Sequence, residues 1–98
     1  MAQPLFVFAR ITPKPEHFDD ARRAIEAIVP TTRREAGCRH FALHEDRAGG
    51  RCLYLYEEFD DEAALEAHYD EPYTKAVFAQ YRDWLEEPVE VVKMPHVA

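Results

Sequence analysis

Two apolar runs separated only by Arg47-Ala-Gly-Gly50 make the centre of this chain an antiparallel hairpin. Residues 38–46 and 51–59 are rich in aromatic and aliphatic side chains, and a Gly-Gly pair supplies the positive φ values that a tight hairpin needs. If Asp46 faces Arg51, then Cys38 faces Phe59 and His40 faces Glu57. The two-residue repeat of a strand then puts Cys38, His40, Ala42, His44, Leu53, Leu55, Glu57 and Phe59 on one face, and Phe41, Leu43, Tyr54 and Tyr56 on the other.

The flanks fall into place around this hairpin. Leu5-Phe-Val-Phe-Ala-Arg-Ile11 is a short aromatic and β-branched run closed by Thr12-Pro-Lys-Pro15, which reads as a strand and a turn. Residues 16–36 carry Phe18, Ala21, Ile25, Ile28, Val29 and Thr32 at helical spacing, with Pro15 suited to the first turn and Gly37 to the C-cap. Pro30 lacks an amide hydrogen and disfavours a helical Val29, so a kink or a break into two pieces is expected there. After the hairpin, Asp60 and Asp61 can cap a helix over 61–68, on which Ala64, Leu65 and His68 share an apolar stripe. A second helix is expected over 72–85, starting at Pro72, and a last strand over 89–94, with 95–98 as a frayed tail.

The order is βαββαβ with its second helical region split, the ferredoxin-like α+β arrangement of a four-stranded antiparallel sheet under a helical layer. Helices can cover only one face of such a sheet. The tyrosines and apolar residues on the other face would form a patch that monomers seldom expose, so a homodimer with its sheets face to face is expected.

Ninety-eight residues suffice for a single domain, 1–98, with one core and one site. A net charge of -7, from 19 acids against 12 Lys and Arg, argues against a nucleic-acid partner. The apolar runs are too short for a membrane span and the start lacks the features of an export signal, so a cytoplasmic location is expected. Cys38 and Cys52 would lie about 20 Å apart at ~3.4 Å per strand residue, and both read as free thiols.

The chemistry-bearing residues cluster at one corner. Glu57 ends a buried strand and His68 ends the apolar stripe of the next helix, so a carboxylate and an imidazole meet between sheet and helices. Such a pair can take a proton from a phenolic hydroxyl, the acid setting the tautomer of the base; the plainer alternative is that the two satisfy each other in the core. His40, opposite Glu57, is a second candidate base. His40 and His44 stand four residues apart on a strand, about 13 Å at ~3.4 Å per residue, too far to share one metal ion, and no metal site is expected. Tyr69, Tyr73, Tyr81 and Trp84 fall at helical spacing and serve either as core or as walls of an aromatic pocket.

At Glu35-Ala-Gly-Cys38, Phe41, Tyr56-Glu-Glu-Phe59, Ala64-Leu65 and His68 the chain resembles the antibiotic biosynthesis monooxygenase family, also called quinol-monooxygenase-like. The resemblance spans nearly the whole chain and lies in the order of these short matches. It implies a dimeric α+β barrel of ferredoxin-like subunits, and oxidation of a phenol or hydroquinone by molecular oxygen with no cofactor, neither metal nor flavin. Glu57, Phe59 and His68 stand at family positions that can touch a ligand, while Glu35 and Gly37 match a turn. Val77-Phe-Ala-Gln80 lacks the histidine of haem-degrading relatives, so haem is not expected. The expected activity is a cofactorless monooxygenase acting on a small aromatic substrate, with His68, Glu57 and His40 as catalytic candidates and Phe59 and Tyr73 as substrate contacts. The alternatives are a non-catalytic dimeric small-molecule-binding or stress-related module, and an isomerase or lyase on the same scaffold.

Overall fold

The computed structural model describes residues 3–98. Strand β1 (Leu5–Ile11) leads through a 3-10 turn (Pro15–His17) into α1 (Phe18–Arg33). The hairpin of β2 (Cys38–Glu45) and β3 (Leu53–Phe59) follows, then α2 (Glu62–Asp70), α3 (Pro72–Trp84) and β4 (Glu90–Met94). The strands form one antiparallel sheet in the order β2-β3-β1-β4, with the helices packed on one face, which is the expected ferredoxin-like α+β fold.

Local chemistry explains most boundaries. Asp61 caps α2 by accepting a 2.9 Å hydrogen bond from Ala64 N. α2 and α3 are separate because Glu71, which precedes Pro72, is extended (φ -64°, ψ 137°), as a residue before proline prefers. Pro30 does not divide the first helix: α1 runs unbroken to Arg33. The bond that Pro30 cannot make would have ended on the carbonyl of Glu26, and both residues are exposed, so water can satisfy the freed group near the end of the helix.

The hairpin departs from the simplest register. Cys38 faces Phe59 as expected, but a bulge at Arg39 shifts the rest of β2, so that His40 pairs with Glu58, and Phe41, not His40, pairs with Glu57. The loop absorbs the extra residue. Asp46 turns away from the ladder, its carboxylate accepting from Ala48 N at 2.9 Å and its carbonyl from Gly49 N at 3.1 Å, and Gly49 takes the positive φ (76°). The bulge moves Phe41 and Leu43 from the expected open face to the helix-covered face and sends His40 and His44 to the other side. Burying a phenylalanine is worth about 1.5–3 kcal/mol, whereas a histidine loses little in water, so the shift is favourable.

The core lies between sheet and helices, with Phe41, Phe59, Leu53, Ile11, Ile25 and Leu65 all but fully buried. At one end the turn after α1 runs against α2, and a Cβ on Gly37 would overlap the Ala64 methyl. Among the described residues the opposite sheet face carries no helix. Phe8 pairs with Tyr56 and with Val92 across neighbouring strands, and the three are 37%, 38% and 42% exposed. Among the described residues no helix is long and apolar enough to cross a membrane.

Candidate active site

α2 delivers the central residue. With Asp61 fixing its start, Leu65 and His68 both turn into the core, and His68 is 3% exposed. Its ring lies 5.4 Å from those of Phe41 and Phe59 and 5.7 Å from that of Tyr69, so packing holds its plane. Nδ1 then meets Glu35, at 3.0 Å from Oε2 and 3.2 Å from Oε1. The Tyr73 hydroxyl donates to the same Oε2. Glu35 sits in the turn that leaves α1, where Glu35 N donates to Thr32 O at 3.0 Å and Cys38 N donates to Glu35 O at 3.1 Å, and Gly37 lets that turn press on α2.

The carboxylate partner of His68 is therefore Glu35, in place of the expected Glu57. Glu35 belongs to the E-x-G-C turn and is 33 residues from His68 in sequence; its acid next to a close-packed glycine was the available signal. Because Glu35 accepts from both neighbours, Nδ1 of a neutral His68 carries the hydrogen and Nε2 keeps its lone pair, free to act as a base.

Glu57 stands apart from this network. It is 4% exposed, and its Oε1 has no hydrogen-bond partner among the described residues. Burial, and secondarily the charge of Glu35, push its carboxyl up to about 8, so it is a neutral acid at pH 7. Burial and the nearby Glu57 raise the Tyr69 hydroxyl to about 12 and the Tyr81 hydroxyl further upward. Burial and the bond to Glu35 likewise raise Tyr73, and burial with the Glu35 charge takes the Cys38 thiol to about 11, an unreactive form.

Glu57 and His68 both line a cavity of about 30 Å³ between sheet and helices. Its other walls are apolar and aromatic, among them Ile25, Phe41, Leu55, Tyr69, Val77 and Tyr81, with Thr74 adding a hydroxyl. Phe78 and Val91 line it and are each 41% exposed, so it approaches the surface between α3 and β4.

The remaining sequence candidates lie elsewhere. His40 projects from the helix-free face, its ring 5.5 Å from that of Tyr56, and does not reach the cavity. Phe59 packs beneath His68, and Tyr73 is tied to Glu35; neither lines the cavity. No group of three or more His, Cys, Asp or Glu residues suited to a metal occurs among the described residues.

Comparison with known proteins agrees with this architecture. A profile of the family described as antibiotic biosynthesis monooxygenase matches residues 4–80. Rv0793 of Mycobacterium tuberculosis, provisionally named a monooxygenase, is 35% identical over 91 residues, covering 93% of this chain and 89% of that protein. Its solved structure superposes with a TM-score of 0.91 at 32% identity, over 97% of this chain and 96% of that one. PA3566 of Pseudomonas aeruginosa gives a TM-score of 0.92 at 32% identity, over 100% and 98% of the two chains. A sheet with three helices on one face and a profile match over most of its length thus converge: this chain belongs to the antibiotic biosynthesis monooxygenase family.

Proposed function

We propose that this protein is a cofactor-independent monooxygenase that oxidises a phenolic or hydroquinone-type ring with molecular oxygen. The observation that carries this reading is a buried imidazole, locked through Nδ1 by Glu35 at 3.0 Å, on the wall of an apolar cavity. His68 takes the proton of a ring hydroxyl through Nε2, and Glu35 stabilises the imidazolium that results. The phenolate is the electron donor. A hydroquinone and O2 give a hydroxyquinone and water, all four electrons coming from the ring, and the apolar walls keep bulk water from the intermediate. A benzene-sized ligand occupies a cavity of about 150 Å³, so Tyr69 and Phe78, whose rings meet edge to face at 5.8 Å, turn outward to admit it.

The test is oxygen uptake by chelator-treated protein with 1,4-naphthohydroquinone. Uptake above the spontaneous rate is expected, with the hydroxyquinone as product, and His68→Gln should lower it about 10²- to 10⁴-fold. Uptake no faster than with heat-denatured protein would overturn the reading, and proton transfer without oxygen consumption would point to an isomerase.

We further propose that the helix-free sheet face, with Phe8, Tyr56 and Val92 exposed on neighbouring strands, pairs with the same face of a second copy. Sedimentation should give twice the chain mass, and the double substitution Tyr56→Asp with Val92→Asp should give the single chain mass. A wild-type protein that sediments as a monomer at micromolar concentration would refute this.

A further inference from the structure

Besides the hydroxyls of Tyr69 and Tyr81, three polar side chains, His68, Glu57 and Thr74, interrupt the apolar wall of the cavity. His68 is engaged by Glu35, but Glu57 Oε1 and Thr74 Oγ1 have no partner among the described residues, although these residues are 4% and 2% exposed. An orphaned polar atom that deep costs about 1–3 kcal/mol, and two on one cavity wall are what a site for a ligand oxygen looks like before it is filled. The two come from opposite layers, Glu57 from β3 and Thr74 from the first turn of α3, so a group between them bridges sheet and helices.

We propose that Glu57 and Thr74 form a hydrogen-bonding site for a neutral acceptor oxygen on the aromatic ligand, a ring ketone or aryl ether distinct from the hydroxyl that faces His68, and that the site rejects rings bearing a carboxylate. The proposal rests on the reading of the cavity as an aromatic site. Glu57 is the donor because its carboxyl is neutral at pH 7, and a carboxylic acid offers the O–H that a carboxylate lacks. Thr74 supplies a second hydroxyl. The exclusion follows from the two causes that keep Glu57 neutral: a ligand carboxylate in this corner would lose its water and meet the charge of Glu35.

Anaerobic calorimetry on the full chain at pH 6.5 tests it with a matched pair of unreactive probes, 1-tetralone and tetralin, which differ by one carbonyl oxygen. The double substitution Glu57→Leu with Thr74→Val should weaken 1-tetralone about 10- to 100-fold relative to its effect on tetralin. Glu57→Gln, whose amide can also donate, should keep most of the preference, and 1-naphthoate should bind more weakly than 1-tetralone. An unchanged tetralone-to-tetralin ratio in the double variant would overturn the proposal, because the two oxygens would then serve only the protein. If the preference is present but no hydroquinone-dependent oxygen uptake is found, this site stands and the monooxygenase reading falls. Uptake without the preference gives the reverse. Binding of neither probe would overturn this proposal and leave the monooxygenase reading to the oxygen-uptake test.

Discussion

Glutamine in place of Glu57 is expected to abolish a loss of stability that the wild-type protein suffers as pH rises from about 4.5 to about 8. Below the lower value the carboxyl is protonated in both folded and unfolded chains and costs nothing. Above it the unfolded chain releases the proton while the folded chain retains it, so the unfolded state gains with each pH unit until the folded group also ionises near 8. A raised carboxyl pKa therefore works against the fold at high pH, opposite in sign to an ion-paired acid. A span of roughly 3.5 units at 1.36 kcal/mol each sets an upper bound of about 5 kcal/mol. The other groups around Glu57 with raised values do not mimic this profile: Cys38, Tyr69 and Tyr81 are pushed upward out of the window. Urea unfolding across pH 4 to 9 would measure it. The wild type should weaken relative to Glu57→Gln by a few kcal/mol between pH 5 and 8, and parallel profiles would show that Glu57 ionises freely in the folded protein.

Removal of Glu35 is expected to be the most damaging single change for the proposed chemistry. Glu35→Ala strips the buried His68 imidazole of its only side-chain hydrogen-bond partner among the described residues and removes the acceptor of the Tyr73 hydroxyl. A buried donor left without its partner costs about 1–3 kcal/mol. Turnover should fall about 10²-fold beyond any loss of folded protein, since His68 then chooses its tautomer and orientation freely. Glu35→Gln separates geometry from charge: its side-chain oxygen still accepts from Nδ1–H, so stability should recover in part, while turnover should stay below wild type because the carboxylate that faces the imidazole is gone. Because the Glu35 charge also raises the Glu57 carboxyl, the same variant should move the pH-dependent stability loss of Glu57 to a narrower window. Unchanged turnover per folded molecule in both Glu35→Ala and Glu35→Gln would remove Glu35 from the positioning of His68.

Much of this molecule is written in short stretches of chain. β1 was bounded by its proline-rich turn, α2 by the Asp61 cap and α3 by Pro72, because each of those signals acts on neighbouring residues through sterics or a local hydrogen bond. The placement of His68 on the buried stripe of α2 follows from helical spacing, and the apolar content of both faces of β1 and β3 anticipates the helix-free face that the structure exposes. The short matches at 35–38, 56–59 and 64–68 pointed to the family that the profile identifies.

Tertiary packing decided the rest. The one-residue bulge at Arg39 carries no mark in the sequence, since its benefit is the burial of Phe41 and Leu43 under helices that arrive later in the chain. That single residue removed His40 from the cavity and put Phe41 beside Glu57. The partner of His68 was equally hidden: Glu57 and Glu35 are both acids within reach of α2, and only the close passage of Gly37 against Ala64 brings Glu35 to Nδ1. The sequence by itself determined which residue types the corner contains and the order of elements that gathers them. Which acid faces the imidazole, and which is left neutral in the cavity wall, was decided by distances of a few ångströms between segments far apart in the chain, where local propensity has no influence.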